Sequence, residues 1–163
     1  MTNSIIETIG CDLGDKQSEL CILFLNGELQ RPEPVKTTRK AFTQFFTRRR
    51  AHVVIEVGTH SRWVSELLKK LGHKVTVANP RRVKLISQSN GKRDKKDAEL
   101  LARLGRADEA LLSPVKHRGC EAQADLAVTK ARDALVRTRT KLVNHARGLV
   151  KSYGRQPALT GLD

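Results

Sequence analysis

The segment HVVIEVGTHSRWVSELLKKLGHKVTVANP, residues 52–80, narrows the fold more than any other part of the chain. Its opening run is apolar and β-branched, as a buried strand is, with Glu56 near the carboxyl end. Behind capping residues at Thr59 and Ser61, Trp63, Leu67, Leu68 and Leu71 recur on one helical face, and the pattern stops at Gly72. The third piece, HKVTVANP, alternates like a strand and closes at Asn79-Pro80. Strand, helix and strand in this succession call for an α/β sheet with helices packed against its faces.

The flanking segments extend this reading. SIIETIGCDLG is apolar and ends in Gly-x-Asp-x-Gly, a buried strand running into a turn. SELCILFLNGELQRP reads as a hairpin around Asn26-Gly27. Phe42, Phe45 and Phe46 at i, i+3, i+4 predict an amphipathic helix that ends in Arg48-Arg49-Arg50, where a solvated helix end and a phosphate contact are equally open. A short helix is expected from about Arg81 to Ser87, then a polar loop, then the helix DKKDAELLARLG with Asp94 at its start.

From Gly119 the character changes: for over thirty residues there is no proline, and no further glycine until Gly148. Val128, Leu135, Leu142 and Leu149 recur every seven residues along one long predicted helix, flanked by Val136, Val143 and Val150. The seam suits self-association or packing onto the chain's own domain. The other face carries Arg137, Arg139 and Lys141 among further cations. The domains expected are therefore an α/β unit at 1–115 and a basic, coiled-coil-type helix at 116–163.

Thirty-one Lys and Arg against 17 Asp and Glu give +14, which favours a polyanionic partner, nucleic acid before acidic membrane. The excess is uneven: residues 1–79 carry 12 cations and 8 anions, residues 80–163 carry 19 and 9. Cys11, Cys21 and Cys120 form an odd set without CxxC spacing, which speaks for reduced thiols in a cytoplasmic protein. No basic leader and no apolar run approaching a membrane span is present, so no membrane partner is expected. With 4% aromatics, base stacking is poorly supplied, and Trp63 on its apolar stripe reads as core.

Against this basic background, acids placed among cations need a reason. Asp94 and Asp97 share a helix face within a run of Lys92, Arg93, Lys95 and Lys96. Asp12 and Glu56 stand at the carboxyl ends of two predicted strands, where open α/β sheets place their ligands. Four clustered carboxylates repel unless hard cations such as Mg²⁺ neutralise them. Metals held there would serve an in-line phosphoryl displacement, with the neighbouring cations on the flanking phosphates. Helix capping by Asp94, a dipole contact by Asp97 and turn stabilisation by Asp12 are alternatives that the residues alone leave open. Glu56 fits them least, because a carboxylate inside an apolar strand is costly unless paired.

Three blocks, GCDLGDKQSELCIL, VVIEVGTHSRWVSELLKKLGHKVTVANPRRVKLI and GKRDKKDAELLARL, together resemble the amino-terminal domain of the insertion-sequence-110 (DEDD) transposases, relatives of the pilin-gene invertases. They stand in the family's order across about residues 5 to 115. The resemblance implies a RuvC-like, ribonuclease-H-like mixed sheet flanked by helices and followed by a coiled-coil connection. It implies that Asp12, Glu56, Asp94 and Asp97 form the catalytic tetrad binding Mg²⁺ or Mn²⁺, in DNA transposition or site-specific recombination. It puts nucleic-acid contacts near Arg81, Arg82 and Lys84, with DNA as partner, a noncoding guide RNA as a second ligand, and a homodimer or higher oligomer in a bacterial or archaeal cytoplasm. Lys92-Arg93-Asp94 replaces the family's usual Lys-Thr-Asp, and Gly14, Asp15 and Lys16 replace a small residue and Lys after the first strand. Full-length members continue into a carboxy-terminal serine domain, whose absence here implies a fragment or a shortened relative. Two further readings use the same residues: a Holliday-junction-type nuclease with water as nucleophile, and a non-catalytic nucleic-acid-binding module.

Overall fold

Strand β1, Glu7–Leu13, is the centre of a six-stranded mixed sheet. The computed structural model describes residues 7–86 and 94–155, with the side chains of 84–86, 94–96 and 120 outside the description. β2, Gln17–Phe24, returns antiparallel beside β1, with Glu7 opposite Phe24 and Asp12 opposite Glu19. The Asn26-Gly27 turn, in which Gly27 takes φ 89°, sends the two-residue β3 (Leu29–Gln30) back along β2. β4 (Val35–Lys36) pairs with the other end of β2.

Helix α1 (Arg39–Phe46) crosses to β5 (Ala51–Glu56), which runs parallel to β1 on its other side. Helix α2 (Ser61–Lys70) crosses to β6 (Lys74–Ala78), parallel to β5. The order is β3-β2-β1-β5-β6. Helices α3 (Pro80–Ile86) and α4 (Asp94–Ala107) and a 3₁₀ turn at Glu109–Leu112 follow. An antiparallel half thus joins a parallel half under helices on both faces, which is the ribonuclease-H-like α/β architecture the resemblance implied. The chain divides into two compact units, Met1–His117 and Arg118–Asp163. The second holds α5, Cys120–Ser152, whose seam residues Val128, Leu135, Leu142 and Leu149 are all exposed, as are Arg137, Arg139 and Lys141.

Alternation along the strands assigns the two faces. Ile9, Cys11, Val53, Ile55, Leu20 and Ile22 bury against Phe42 and Phe46 of α1 and Val64 and Leu68 of α2. Each such side chain contributes roughly 1.5–3 kcal/mol by leaving water. Trp63 packs edge-on against Phe42 at 5.6 Å between ring centroids, so it belongs to this core. The other face pairs Val54 and Ala78 with Val83, Leu101 and Leu112. The capping expected of Thr59 or Ser61 takes another form. His60 occupies the cap position of α2 without a side-chain capping bond, and Ser61 Oγ instead pins the turn, donating to Gly58 O at 2.8 Å and accepting from Gly58 N at 3.1 Å.

Two buried histidines hold strand starts together. His73 Nδ1 accepts from Ala51 N at 3.3 Å, and its Nε2 donates to Phe46 O at 3.2 Å, so the ring is neutral and its tautomer fixed. His52 Nε2 lies 2.8 Å from Thr76 Oγ1, which in turn donates to Glu109 Oε2 at 3.1 Å. Burial pushes both imidazoles below their ordinary range, more than the neighbouring Glu109 (for His52) and the backbone bonds (for His73) raise them. The unfolded chain therefore binds more protons than the folded one once pH falls below the ordinary imidazole value near 6.5. Stability is fully present above that value and declines as pH falls toward the depressed folded values. Melting temperature should drop by about 5 °C between roughly pH 7.5 and pH 5. His73→Gln, which keeps a donor and an acceptor, should show a flatter dependence in calorimetry; an unchanged slope would remove His73 as a cause.

Candidate functional site

The position of α4 decides where Asp94 and Asp97 stand, and small residues decide the position of α4. Ala98, Ala102 and Gly105 recur along its inner face at i, i+4 and i+7. A Cβ added to Gly10 in β1 would stand 1.9 Å from Ala98 O and 2.5 Å from Ala102 N, so helix backbone lies directly on strand backbone. A Cβ on Gly105 would stand 2.3 Å from Val54 Cγ2. Arg106, near the helix end, donates to Phe24 O at 2.6 Å and Leu25 O at 2.8 Å, and Glu99 pairs with Arg31 and with Arg103. The bond from Arg103, supported by Arg31, holds the Glu99 carboxyl below the usual range.

These contacts fix the helix direction. Phe24 lies opposite Glu7, at the beginning of β1, so the carboxyl end of α4 rests at that end of the sheet. Its amino end, with Asp94 as first helical residue and Asp97 one turn on, points to the opposite end, where β1 and β5 finish. Asp12 and Glu56 stand there. Cys11 pairs with Ile55 as the last step of the parallel ladder, and Asp12 and Glu56 each stand one residue beyond it on adjacent strands. Both alternate with residues of the α4 face, Asp12 with Gly10 and Glu56 with Val54. Asp12, Glu56 and Asp97 are each half-buried.

The fold thus directs three of the expected acids, and the backbone of the fourth, to one end and one face of the sheet. The Asp94 side chain lies outside the described residues, and so does its expected capping role. Among the described residues, no three His, Cys, Asp or Glu side chains are grouped as a metal cage. A further acid enters that the sequence did not single out: the antiparallel register sets Glu19 directly opposite Asp12, on the same face and half-buried. Near this end, Trp63 Nε1 donates to His60 Nδ1 at 3.1 Å, leaving His60 Nε2 to donate to Asp15 Oδ1 at 3.3 Å.

Of the expected phosphate-binding cations, Lys92 and Arg93 lie outside the described residues, while Lys95, Lys96 and Lys84 are described in backbone only. Arg81 and Arg82 are exposed at the start of α3, just after edge strand β6, where Asn79 Oδ1 accepts from Arg81 N at 3.0 Å and shapes the turn. Cys11 and Cys21 are buried free thiols; burial first, and Asp12 second, push the Cys11 thiol far above its ordinary range, so it is inert. Among the described residues no helix is long and apolar enough to cross a membrane.

Comparison with known proteins finds the following relatives. The family model for DEDD transposases of the IS110 type, described as "Transposase", matches residues 9–154. The transposase for insertion sequence element IS1111A of Coxiella burnetii is 29% identical over 149 residues, 91% of this chain and 40% of that protein. A probable family 20 transposase of Pseudomonas aeruginosa is 35% identical over 97 residues, 60% of this chain and 28% of that protein. The chain therefore spans two fifths or less of the length of these relatives. A solved structure of T. thermophilus RuvC, in complex with a Holliday junction substrate, covers 63% of this chain and 92% of its own at a TM-score of 0.41 and 15% identity.

Proposed function

The chain belongs to the IS110-type DEDD transposase family, and on that premise we propose that its α/β unit binds DNA and takes part in divalent-metal-dependent strand cleavage and exchange. The observation that carries the reading is the convergence of Asp12 and Glu56, on adjacent parallel strand ends, with the amino end of α4 that bears Asp94 and Asp97. The donor set fits the metal. Carboxylate oxygens are the ligands that Mg²⁺ and Mn²⁺ prefer, and acids carried to one end of the sheet gain from a shared cation. When bound by Asp12, Glu56, Asp94 and Asp97, such ions stabilise the charge on the attacking and leaving oxygens of a phosphoryl displacement.

The chain's own residues have distinct tasks in this reading. The strand-end acids are fixed by the sheet ladder, while Asp94 and Asp97 are fixed by the seat of α4 on Gly10. Lys92, Arg93, Lys95 and Lys96 hold backbone phosphates beside the reacting one, and Arg81 and Arg82 extend that grip along the sheet edge. On α5, Val128, Leu135, Leu142 and Leu149 pair with the same seam of a second copy, and Arg137, Arg139 and Lys141 offer a surface to DNA or to a noncoding RNA.

Calorimetric titration with MgCl₂ and MnCl₂ tests the core of this reading. Wild type should bind, and Asp97→Asn should lose at least tenfold in affinity with an unchanged melting temperature. Absence of binding by both would remove the metal site. Robust cleavage of branched DNA by this chain alone would point instead to a junction nuclease using water.

A further inference from the structure

The sheet end opposite the four acids carries a second concentration of cations. Glu7 opens β1 there, and α1 finishes there at Phe46, followed by the run Arg48-Arg49-Arg50 that leads into β5. The structure separates the roles of the three arginines. Arg49 Nη1 donates to both oxygens of the buried Glu7 carboxylate at 3.1 Å, and the guanidinium carbon Cζ lies over the Phe45 ring, 4.8 Å from its centroid. Arg49 is therefore a structural partner, because losing it would strand a buried charge.

Arg48 and Arg50 are exposed, and no carboxylate among the described residues pairs with either. Together with Glu7, Gln44, Phe45 and Arg49 they line a cavity of about 400 Å³. Arg50 Nη1 lies 3.8 Å from where a Cβ of Gly72 would stand, which brings the last turn of α2, with Lys69 and Lys70, alongside. Two features oppose an anion there. The Glu7 carboxylate is already matched by Arg49, and the carbonyl ends of α1 and α2 each present about half a negative charge. Four uncompensated cations outweigh them.

We propose that this end of the unit is a second nucleic-acid contact, in which the guanidinium forks of Arg48 and Arg50 grip backbone phosphates over the cavity beside Gln44. It lies about 17 Å along β1 from Asp12, too far to share a phosphate with the acid cluster. Planar guanidinium groups match phosphate oxygens two at a time, which a merely solvated helix end does not require. The contact reads charge and not sequence, and it needs no divalent ion. It rests on the reading of nucleic acid as partner, but not on the metal site.

Fluorescence anisotropy in EDTA, with a labelled DNA duplex and a labelled RNA strand, tests it across a salt titration. Arg48→Ser/Arg50→Ser should bind about tenfold more weakly near 100 mM salt, with a logarithmic salt slope shallower by about 1.5, as expected for two lost phosphates. Its melting temperature should equal that of wild type, and Arg48→Lys/Arg50→Lys should restore most of the slope. The arm that shows the larger change identifies DNA or RNA as the ligand. A double serine variant that binds like wild type would overturn this inference alone. Failure of wild type to bind either nucleic acid would overturn both this inference and the proposed function. Intact Arg48- and Arg50-dependent binding, alongside failure to bind Mg²⁺, would overturn only the metal reading.

Discussion

Gly10→Val should unfold the α/β unit or lower its melting temperature by about 10 °C or more. A Cβ at position 10 would stand 1.9 Å from the Ala98 carbonyl oxygen, against a normal contact above 3 Å. Both partners are backbone, one in the central strand and one in a helix, so no side chain can rotate away. Relief requires α4 to lift from the sheet, which also opens the layer containing Val54, Leu101 and Leu112. Overpacking of a core ordinarily costs about 1–3 kcal/mol, and a backbone collision belongs at the upper end or beyond. Set against a total stability of about 5–15 kcal/mol, that is a large fraction.

Gly105 supplies the contrast that makes the cause identifiable. There the added Cβ meets Val54 Cγ2 at 2.3 Å, a side-chain atom that can be removed. Gly105→Ala alone should destabilise, and Val54→Ala alone should as well, while the double variant recovers part of the loss. No comparable trimming rescues Gly10→Val. Urea or thermal melts of these variants check the expectation. A Gly10→Val chain that melts like wild type would mean that α4 does not sit on β1 as described, and the convergence of the acids would fall with it.

The same contact explains part of what the sequence left unread. Strand and helix periodicity marked β1, β5, α2 and β6, because burying one face of each leaves a repeating apolar signal. The long helix α5 was legible from the absence of Gly and Pro over its first 28 residues, Cys120 to Arg147, and from its heptad seam. The seat of α4 was not. A reading that counts large apolar residues passes over Ala98, Ala102 and Gly105, whose contribution is the space they leave. Pairing was also hidden. SELCILF was read forward into the Asn26-Gly27 hairpin, while its longer partner is β1, and which strands pair is a non-local choice. Glu19 therefore went unnoticed beside Asp12. For a similar reason Arg48-Arg49-Arg50 read as one charge run, although Glu7, 42 residues from Arg49, assigns the middle arginine to the interior. The places of the acids at 12, 56, 94 and 97, at strand ends and a helix start, were legible because such boundaries can be read from local sequence, even where the contacts between elements cannot.

Asp12→Asn should abolish metal-dependent strand cleavage, by about a thousandfold or more, in any assembly of this chain that cleaves DNA. The substitution keeps the shape of the side chain and removes its charge, so it separates chemistry from packing. Two effects on stability act in opposite directions. Asp12 has an interaction partner of its own within the fold, which the amide holds less well. Glu19 faces it across the antiparallel ladder and Glu56 ends the neighbouring strand, and like charges set side by side on a sheet destabilise, so neutralising Asp12 relieves strain. In EDTA the variant should therefore melt within about 2 °C of wild type. Adding Mg²⁺ breaks the balance. A ligand at tenfold excess over its dissociation constant stabilises the state that binds it by about 1.4 kcal/mol, and only wild type should show that rise. Glu56→Gln should behave in the same way, since the two carboxylates occupy equivalent places on adjacent strands. If Asp12 served only its turn, Asn would lower the melting temperature equally with and without Mg²⁺, and cleavage would fall no further than the folded fraction does. Parallel melting curves in the two conditions would therefore reject the metal role for Asp12, whatever the cleavage assay returned.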